Sequence, residues 1–367
     1  MEGEKSKMNE ETPKKKLRNF AIVEGWLREN YLKAKTTKTG KPYIQGEVVI
    51  STSRFNAQRV RVRVFATKGK AGAEVENEDY KNLMEFVNGN VSTIASYAET
   101  LPEPTHDLDD MDERLWEAAT HVASKVWFSG SLEEYVTITE EGGKTLEKTT
   151  FSIEASKGGI RREGGKRPFS PRCAIEMDGS ILSMRDEVKK NEEGEPVESG
   201  RVVMDYVYID YKGVAHKFKL YAGTDPINPT DPKGDTFAEY VKDHYAVGDT
   251  AQFNFTIANL MEREEKGGAS TGWGKVAAPV VITHFTRELQ IYGGRSAQGF
   301  SSDYEGYIAK EDITKALAQR QIVGKDNALR AAERKAAATK SEVSKGFGFP
   351  TGKPGEEDLF SGGDIDF

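Results

Sequence analysis

The chain has 367 residues, enough for two or three domains, and its hydrophobic fraction of 37% is low for a compact globule, which suggests unfolded ends. No apolar run approaches a membrane span, the charged opening MEGEKSKMNEETPKKKLR does not read as a secretory signal, and the lone cysteine, Cys173, excludes internal disulfides; a protein of a reducing cytoplasm with no membrane contact is expected. The net charge of −7 hides a division: residues 17–70 carry twelve Lys/Arg against three acids, and residues 71–120 carry thirteen acids against two bases. Local potential governs binding, so the total does not exclude a polyanionic partner.

Residues 1–16 read as a disordered, partly basic arm. From Leu17 the period becomes two. Residues 20–27 form an expected strand with Gly25 at a bend, Lys38-Thr39-Gly40-Lys41 a turn, and residues 43–50 a second strand. Residues 59–65, Arg-Val-Arg-Val-Arg-Val-Phe, alternate strictly and predict a third. A helix is expected over 78–87, an acidic, Pro-containing insert over 99–114, and two further strands over 125–136 and 149–155. Three strands, a helix and two strands is the order of an OB-fold barrel. The order returns with strands over 174–182 (carrying Gly179), 201–210 and 215–221, a short helix over 236–244, and strands over 247–257 and 279–291.

The expected fold is therefore mainly β: two OB-fold-like barrels in tandem over 17–160 and 171–293, with small helices, the alternatives being a small β-sandwich for either half or an extra β unit at the junction. Residues 294–355 read as loop, helix and flexible linker. The helix, 311–340, has a thin apolar stripe (Ile313, Leu317, Ile322, Leu329) that predicts a lone or partner-dependent element. Residues 356–367 form an acidic tip.

The sharpest feature of the body is the ladder Arg59, Arg61 and Arg63. In a strand the three share one face while Val60, Val62 and Val64 share the other. Like charges in a row call for an anion; a phosphate backbone supplies one, and Arg also stacks on bases. The alternative is a solvated face, or pairing with acids such as Glu47. Lys33, Lys35, Lys38, Lys41 and Arg54 surround the ladder on expected loops, interleaved with Tyr31, Tyr43 and Phe55 as candidate stacking rings and with Trp26, which could equally be core.

A second basic cluster, Lys157, Arg161, Arg162, Lys166, Arg167 and Arg172, bridges the two expected barrels, either as a nucleic-acid contact or as a plain linker. In the second barrel, Tyr206 and Tyr208 share one face and Lys217 and Lys219 another, with core packing the simpler role for the tyrosines. Trp273 and Lys275 lie in a Gly-rich loop between the expected fourth and fifth strands, where an exposed Trp has little to pack on except a base. Enzyme signals are weak. Residues 159–166 miss the phosphate-loop pattern, since the Lys is one place late and no Ser/Thr follows. The five histidines are scattered and give no zinc spacing with one Cys. No catalytic residue, metal or cofactor is assigned.

The last twelve residues hold five acids, no base and a closing Phe367. Such a segment stays solvated, and a Phe beside a carboxylate fits an apolar pocket rimmed by Arg or Lys on a partner. The pattern Asp364-Ile365-Asp366-Phe367 resembles the C-terminal tip of bacterial and phage single-stranded DNA-binding proteins, although it lacks Pro before Phe and its acids are split by residues 359–363. The resemblance implies a non-catalytic protein, phage-encoded by its two-barrel layout, that coats single-stranded DNA in replication, recombination or repair. It implies recruitment of replication or recombination proteins through Asp364, Ile365, Asp366 and Phe367. A protein-binding scaffold that does not itself grip DNA is the alternative; a nuclease would need a metal dependence that nothing in the sequence announces. Oligomeric state is not legible.

Overall fold

The computed structural model describes residues 17–69, 74–101, 108, 111–162, 167–191, 194–266, 270–271, 275–276, 280–295 and 306–344, with backbone alone over 260–285 and 337–344. The basic arm, the linker and the acidic tip lie outside these. In chain order the elements are β1 (Asn19–Asn30), β2 (Lys33–Thr36), β3 (Pro42–Ser53), β4 (Asn56–Phe65), β5 (Thr67–Lys68), β6 (Val75–Glu76), α1 (Glu78–Val87), α2 (Ile94–Ala98), α3 (Glu113–Val122), β7 (Lys125–Glu141) and β8 (Lys144–Ile160). There follow β9 (Arg172–Lys190), β10 (Pro196–Ile209), β11 (Ala215–Ala222), α4 (Phe237–His244), β12 (Thr250–Lys266), β13 (Ser270–Thr271), β14 (Lys275–Val276), β15 (Val280–Gly294) and α5 (Lys310–Ser344). The molecule is mainly β, and one large sheet holds most of its strands.

That sheet closes on itself twice. β1 pairs with β3, β3 with β4, β4 with β8, β8 with β7, and β7 returns to β1; only β4–β8 is parallel. The same circuit recurs as β9–β10–β11–β15–β12–β9, with β11–β15 the parallel step. The two rings share an antiparallel seam in which β1 pairs with β9 from Asn19↔Met177 to Glu24↔Arg172. Gly25 and Gly179 occupy matching places. A Cβ on Gly25 would lie 2.3 Å from the Ser51 carbonyl oxygen, and one on Gly179 2.5 Å from that of Val207, so each first strand can cross its second only where a side chain is missing.

Alternation fills the rings. Val60, Val62 and Val64 point inward with Val23, Ile44, Val48, Phe128 and Ile153. Leu83 and Phe86 of α1 close one end, Phe86 meeting Phe128 edge-to-face at 5.6 Å. In the second ring Ile175, Met204, Phe218, Phe253 and Leu289 are inside, with Ala238 and Val241 of α4 as lid. Tyr206 belongs here too: its hydroxyl is within hydrogen-bond distance of the carbonyl oxygens of Ala251 (2.7 Å) and Met177 (2.9 Å). Both lids start on caps that satisfy free backbone N–H groups, Asn77 for α1 and a Thr236/Glu239 capping box for α4.

Two regions depart from expectation. α2 and α3 flank the acidic insert and build a small cluster in which Trp26 meets Trp116 edge-to-face at 6.0 Å. α5 is longer than expected and is not a lone helix. Ile322 and Leu329 of the expected stripe are exposed; the buried positions are Ala316, Arg320 and Gly324. The helix lies along the β7–β8 hairpin, where Gly324 leaves room for Ile138 and Asn327 donates to the Val136 carbonyl oxygen (2.9 Å). Among the described residues no helix is long and apolar enough to cross a membrane.

Candidate nucleic-acid interface

β4 presents Arg59, Arg61, Arg63 and Phe65 to the outside of the first ring, opposite to its buried valines. The β3 register sets Tyr43 beside Phe65, Gln45 beside Arg63, Glu47 beside Arg61 and Val49 beside Arg59. β2 extends the face by one strand, placing Lys35 beside Tyr43 and Lys33 beside Gln45. Alternate residues on a strand are about 7 Å apart. Two rows of that face therefore carry cations next to an aromatic ring: Lys35, Tyr43 and Phe65 in one, Lys33 and Arg63 in the next.

The cations are not equivalent. Arg59 pairs with Glu47 (3.2 Å) and Arg61 with Glu154 (3.4 Å). Burial raises the Glu154 carboxyl above its ordinary range, with Arg61 opposing. Arg63 instead sits over the Tyr43 ring, 5.7 Å from its centroid. Among the described residues Arg63, Lys33 and Lys35 have no carboxylate within ion-pair distance, and the whole of β2 is exposed. Lys41 is bonded to Glu74, and Lys38 is exposed in the turn.

The rings divide likewise. Tyr31 (55% exposed) and Phe55 (53% exposed) stand in solvent; the Tyr31 hydroxyl donates to Glu29 (2.8 Å), and the Arg54 guanidinium lies 4.7 Å from the Phe55 centroid. Tyr43, expected to be an exposed stacking ring, is only 6% exposed. It lies within β3 rather than on a loop, and Phe65 covers it at 5.5 Å while Arg63 caps it. Phe65 (39% exposed) is the open ring of this row. Its place at the end of the Arg-Val alternation signals the same outward face, a signal that singling out loop aromatics misses.

The second basic cluster is tied down in part, through Arg161 and Arg172. Arg161 pairs with buried Glu24 (2.9 Å) and donates to the Arg167 carbonyl oxygen (3.1 Å), while Arg172 approaches Glu24 at 3.9 Å. Its chain is held on the ring: the Arg161 N–H donates to the Lys125 carbonyl (2.7 Å) and Phe169 packs on Trp26 (5.3 Å). Arg162 and Arg167 are exposed, and Lys166 lies outside the described residues. Trp273 is also outside them; Lys275 starts β14, and its side chain is not described. Asp364, Ile365, Asp366 and Phe367 lie outside as well.

The equivalent face of the second ring carries Lys217, Lys219 and Tyr221 on β11. Here Arg201 pairs with Glu288 (2.6 Å) and Glu187 (3.4 Å) while lying over Tyr221, and Arg185 pairs with Asp205 (3.0 Å). Cys173 is buried at the seam, and burial pushes its thiol up to about 11, which removes it as a nucleophile at neutral pH.

The sequence pattern of the YorF family matches residues 18–329, which spans both rings and the first part of α5; the chain belongs to this family. No curated protein matches the sequence. Among solved structures, the wild-type single-stranded DNA binding protein from Thermus aquaticus is similar at 10% identity, covering 79% of this chain and 97% of that one with a TM-score of 0.37. A deletion mutant of the same protein gives 12%, 79%, 99% and 0.36. A likeness this distant carries no functional information.

Proposed function

We propose that this YorF-family chain is a non-catalytic single-stranded DNA-binding protein that holds DNA on the outer face of its first ring. Both rings are taken as OB-type barrels, bounded at 17–160 and 171–293: five strands close with one parallel step, and a helix precedes the fourth strand of each. The observation that carries the reading is the set Lys33, Lys35, Arg63 and Phe65, cations that meet no carboxylate among the described residues beside an open ring on one face. Phosphates neutralise the cations, and bases stack on Phe65, Phe55 and Tyr31, each stack worth about 1–3 kcal/mol whatever the sequence. The acidic segment 356–367 is assigned to partner proteins of replication or recombination, on charge alone.

Titration with oligo-dT, followed by intrinsic fluorescence at two salt concentrations, tests this. Affinity should fall with salt at a log–log slope of about −0.7 per phosphate neutralised. The Lys33→Ala/Lys35→Ala/Arg63→Ala variant should bind much more weakly with a shallower slope. Equal binding by the variant would refute the assignment. A second reading, a protein-interaction scaffold that does not itself grip DNA, is favoured by the Arg59–Glu47 and Arg61–Glu154 pairs, which already balance two of the three ladder arginines; absence of any oligo-dT response would select it.

A further inference from the structure

The β12–β15 hairpin leaves the second ring and settles against the first. The Ile257 carbonyl oxygen accepts from Gln58 Nε2 (2.9 Å) and Asn56 Nδ2 (3.3 Å), and Asn259 Nδ2 donates to Asn56 Oδ1 (3.0 Å). Further along, Arg287 of β15 donates to the Phe151 carbonyl oxygen of β8 (3.3 Å) and lies over the Phe151 ring, 4.8 Å from its centroid. Arg287 is thereby fixed at the end of β4 where Arg59 stands, and it is exposed. Its charge is disfavoured by burial of its inner part and by the neighbouring Arg59, and favoured by Cys173 and by Glu47. Glu47 already pairs with Arg59. Among the described residues Arg287 makes no ion pair of its own there: it lies beside Asn259 in the hairpin register, and Asn259 is bonded to the start of β4, so a second guanidinium from the other ring stands near the Arg59–Glu47 pair.

We infer that this ring-to-ring seam is a phosphate-binding subsite: Arg287 of the second ring and Arg59 of the first take one backbone phosphate of a strand lying across β4. The inference rests on the DNA-binding reading above and adds that the second ring completes the site of the first. The two non-bridging oxygens of a phosphodiester monoanion suit the arrangement because planar guanidinium forks can approach them from two sides and the anion relieves their mutual repulsion.

The test is a double-mutant cycle on the full chain, read as the salt dependence of oligo-dT binding. Arg287→Gln and Arg59→Gln should each weaken binding about tenfold, the loss of one charged hydrogen-bond partner, and each should flatten the log–log slope by about 0.7, the share of one phosphate on a single strand. The double variant should flatten it by no more than either alone, because both residues serve one phosphate. Arg287→Lys, which retains the charge, should keep the slope. A normal slope in Arg287→Gln, a flattened slope in Arg287→Lys, or a double variant that loses about 1.4 would each overturn the shared subsite. Arg63→Ala separates the two levels: if it weakens binding while Arg287→Gln does not, only the seam subsite fails; if neither does, the whole face fails.

Discussion

On the third strand of the first ring the outward residues are Arg59, Arg61, Arg63 and Phe65; on the third strand of the second they are Lys217, Lys219 and Tyr221. The two surfaces are built by the same pairing circuit and carry similar residue types. What separates them is the distribution of acids. Around Tyr221, Arg201 is clamped between two glutamates and Arg185 is met by Asp205. Around Phe65, the neighbouring strands supply Gln45 and lysines instead. The same pairing circuit can therefore carry a face whose cations are paired only at one end, as with Arg59 and Arg61, and a face whose arginines, Arg185 and Arg201, are both met by acids.

The hairpins differ in the same spirit. The β12–β15 hairpin meets the first ring through neutral amides and Arg287. The β7–β8 hairpin meets the second through Glu134, which accepts from the Lys217 N–H (2.9 Å), and is then strapped by α5. Arg320 of that helix, 1% exposed, grips Glu134, 2% exposed, through two bonds (2.8 and 2.9 Å) and also reaches Glu147 (2.6 Å). The largest effect should come from breaking this strap. Arg320→Ala leaves a buried carboxylate without its partner and should cost about 3–5 kcal/mol in chemical denaturation. Gln58→Ala, at the matching contact of the other hairpin, should cost only about 1 kcal/mol, the worth of one neutral hydrogen bond, because the Ile257 carbonyl oxygen keeps the Asn56 donor (3.3 Å). Equal costs would show that the two hairpins are held alike.

A second comparison sets ring against ring. Phe65→Ala should lower oligo-dT affinity by about 1–3 kcal/mol, the range for one lost base stack, whereas Tyr221→Ala should leave it unchanged. Equal losses would mean that both faces bind. The smallest effect concerns pH. Burial works to lower the pKa of His216, but its hydrogen bond to Asp210 (3.3 Å) and the nearby Glu133 and Glu134 outweigh it, and the value is raised. The folded state thus binds this proton more tightly than the unfolded one. The stabilisation is complete below the ordinary histidine value of about 6.5 and is lost as pH rises through the higher folded value. The stability advantage of the wild type over His216→Gln should shrink from about pH 6 upward; a difference that grows with pH would contradict the assignment.

Much of the first ring was legible because alternation is a local signal. The pattern of residues 59–65 announces both the buried valines and the outward arginines, and Gly25 and Gly179 mark the two bends. Pairing of a ladder arginine with Glu47 on the neighbouring strand was legible as an alternative, but pairing between distant segments was not. Arg320 and Glu134 are separated by 186 positions, and nothing local in either segment announces the other. Tyr43 misled for the same reason, since its cover, Phe65, comes from the next strand. α3 was missed because the acidic insert expected over 99–114 takes in only its first residues, although Asp112 as N-cap, accepting from the Leu115 N–H (2.8 Å), was present in the sequence.

The β1–β9 seam has a practical consequence. It joins the rings by ladder hydrogen bonds from Asn19↔Met177 to Glu24↔Arg172, so they cannot swing apart like beads on a string. Expressing the first ring alone would strip the partner from residues 19–24 and turn an interior strand into a raw edge carrying Phe20, Ala21, Ile22 and Val23, a template for aggregation. Thermal melting of the intact chain should accordingly proceed as one cooperative event, and the seam fixes the spacing between the two outer faces.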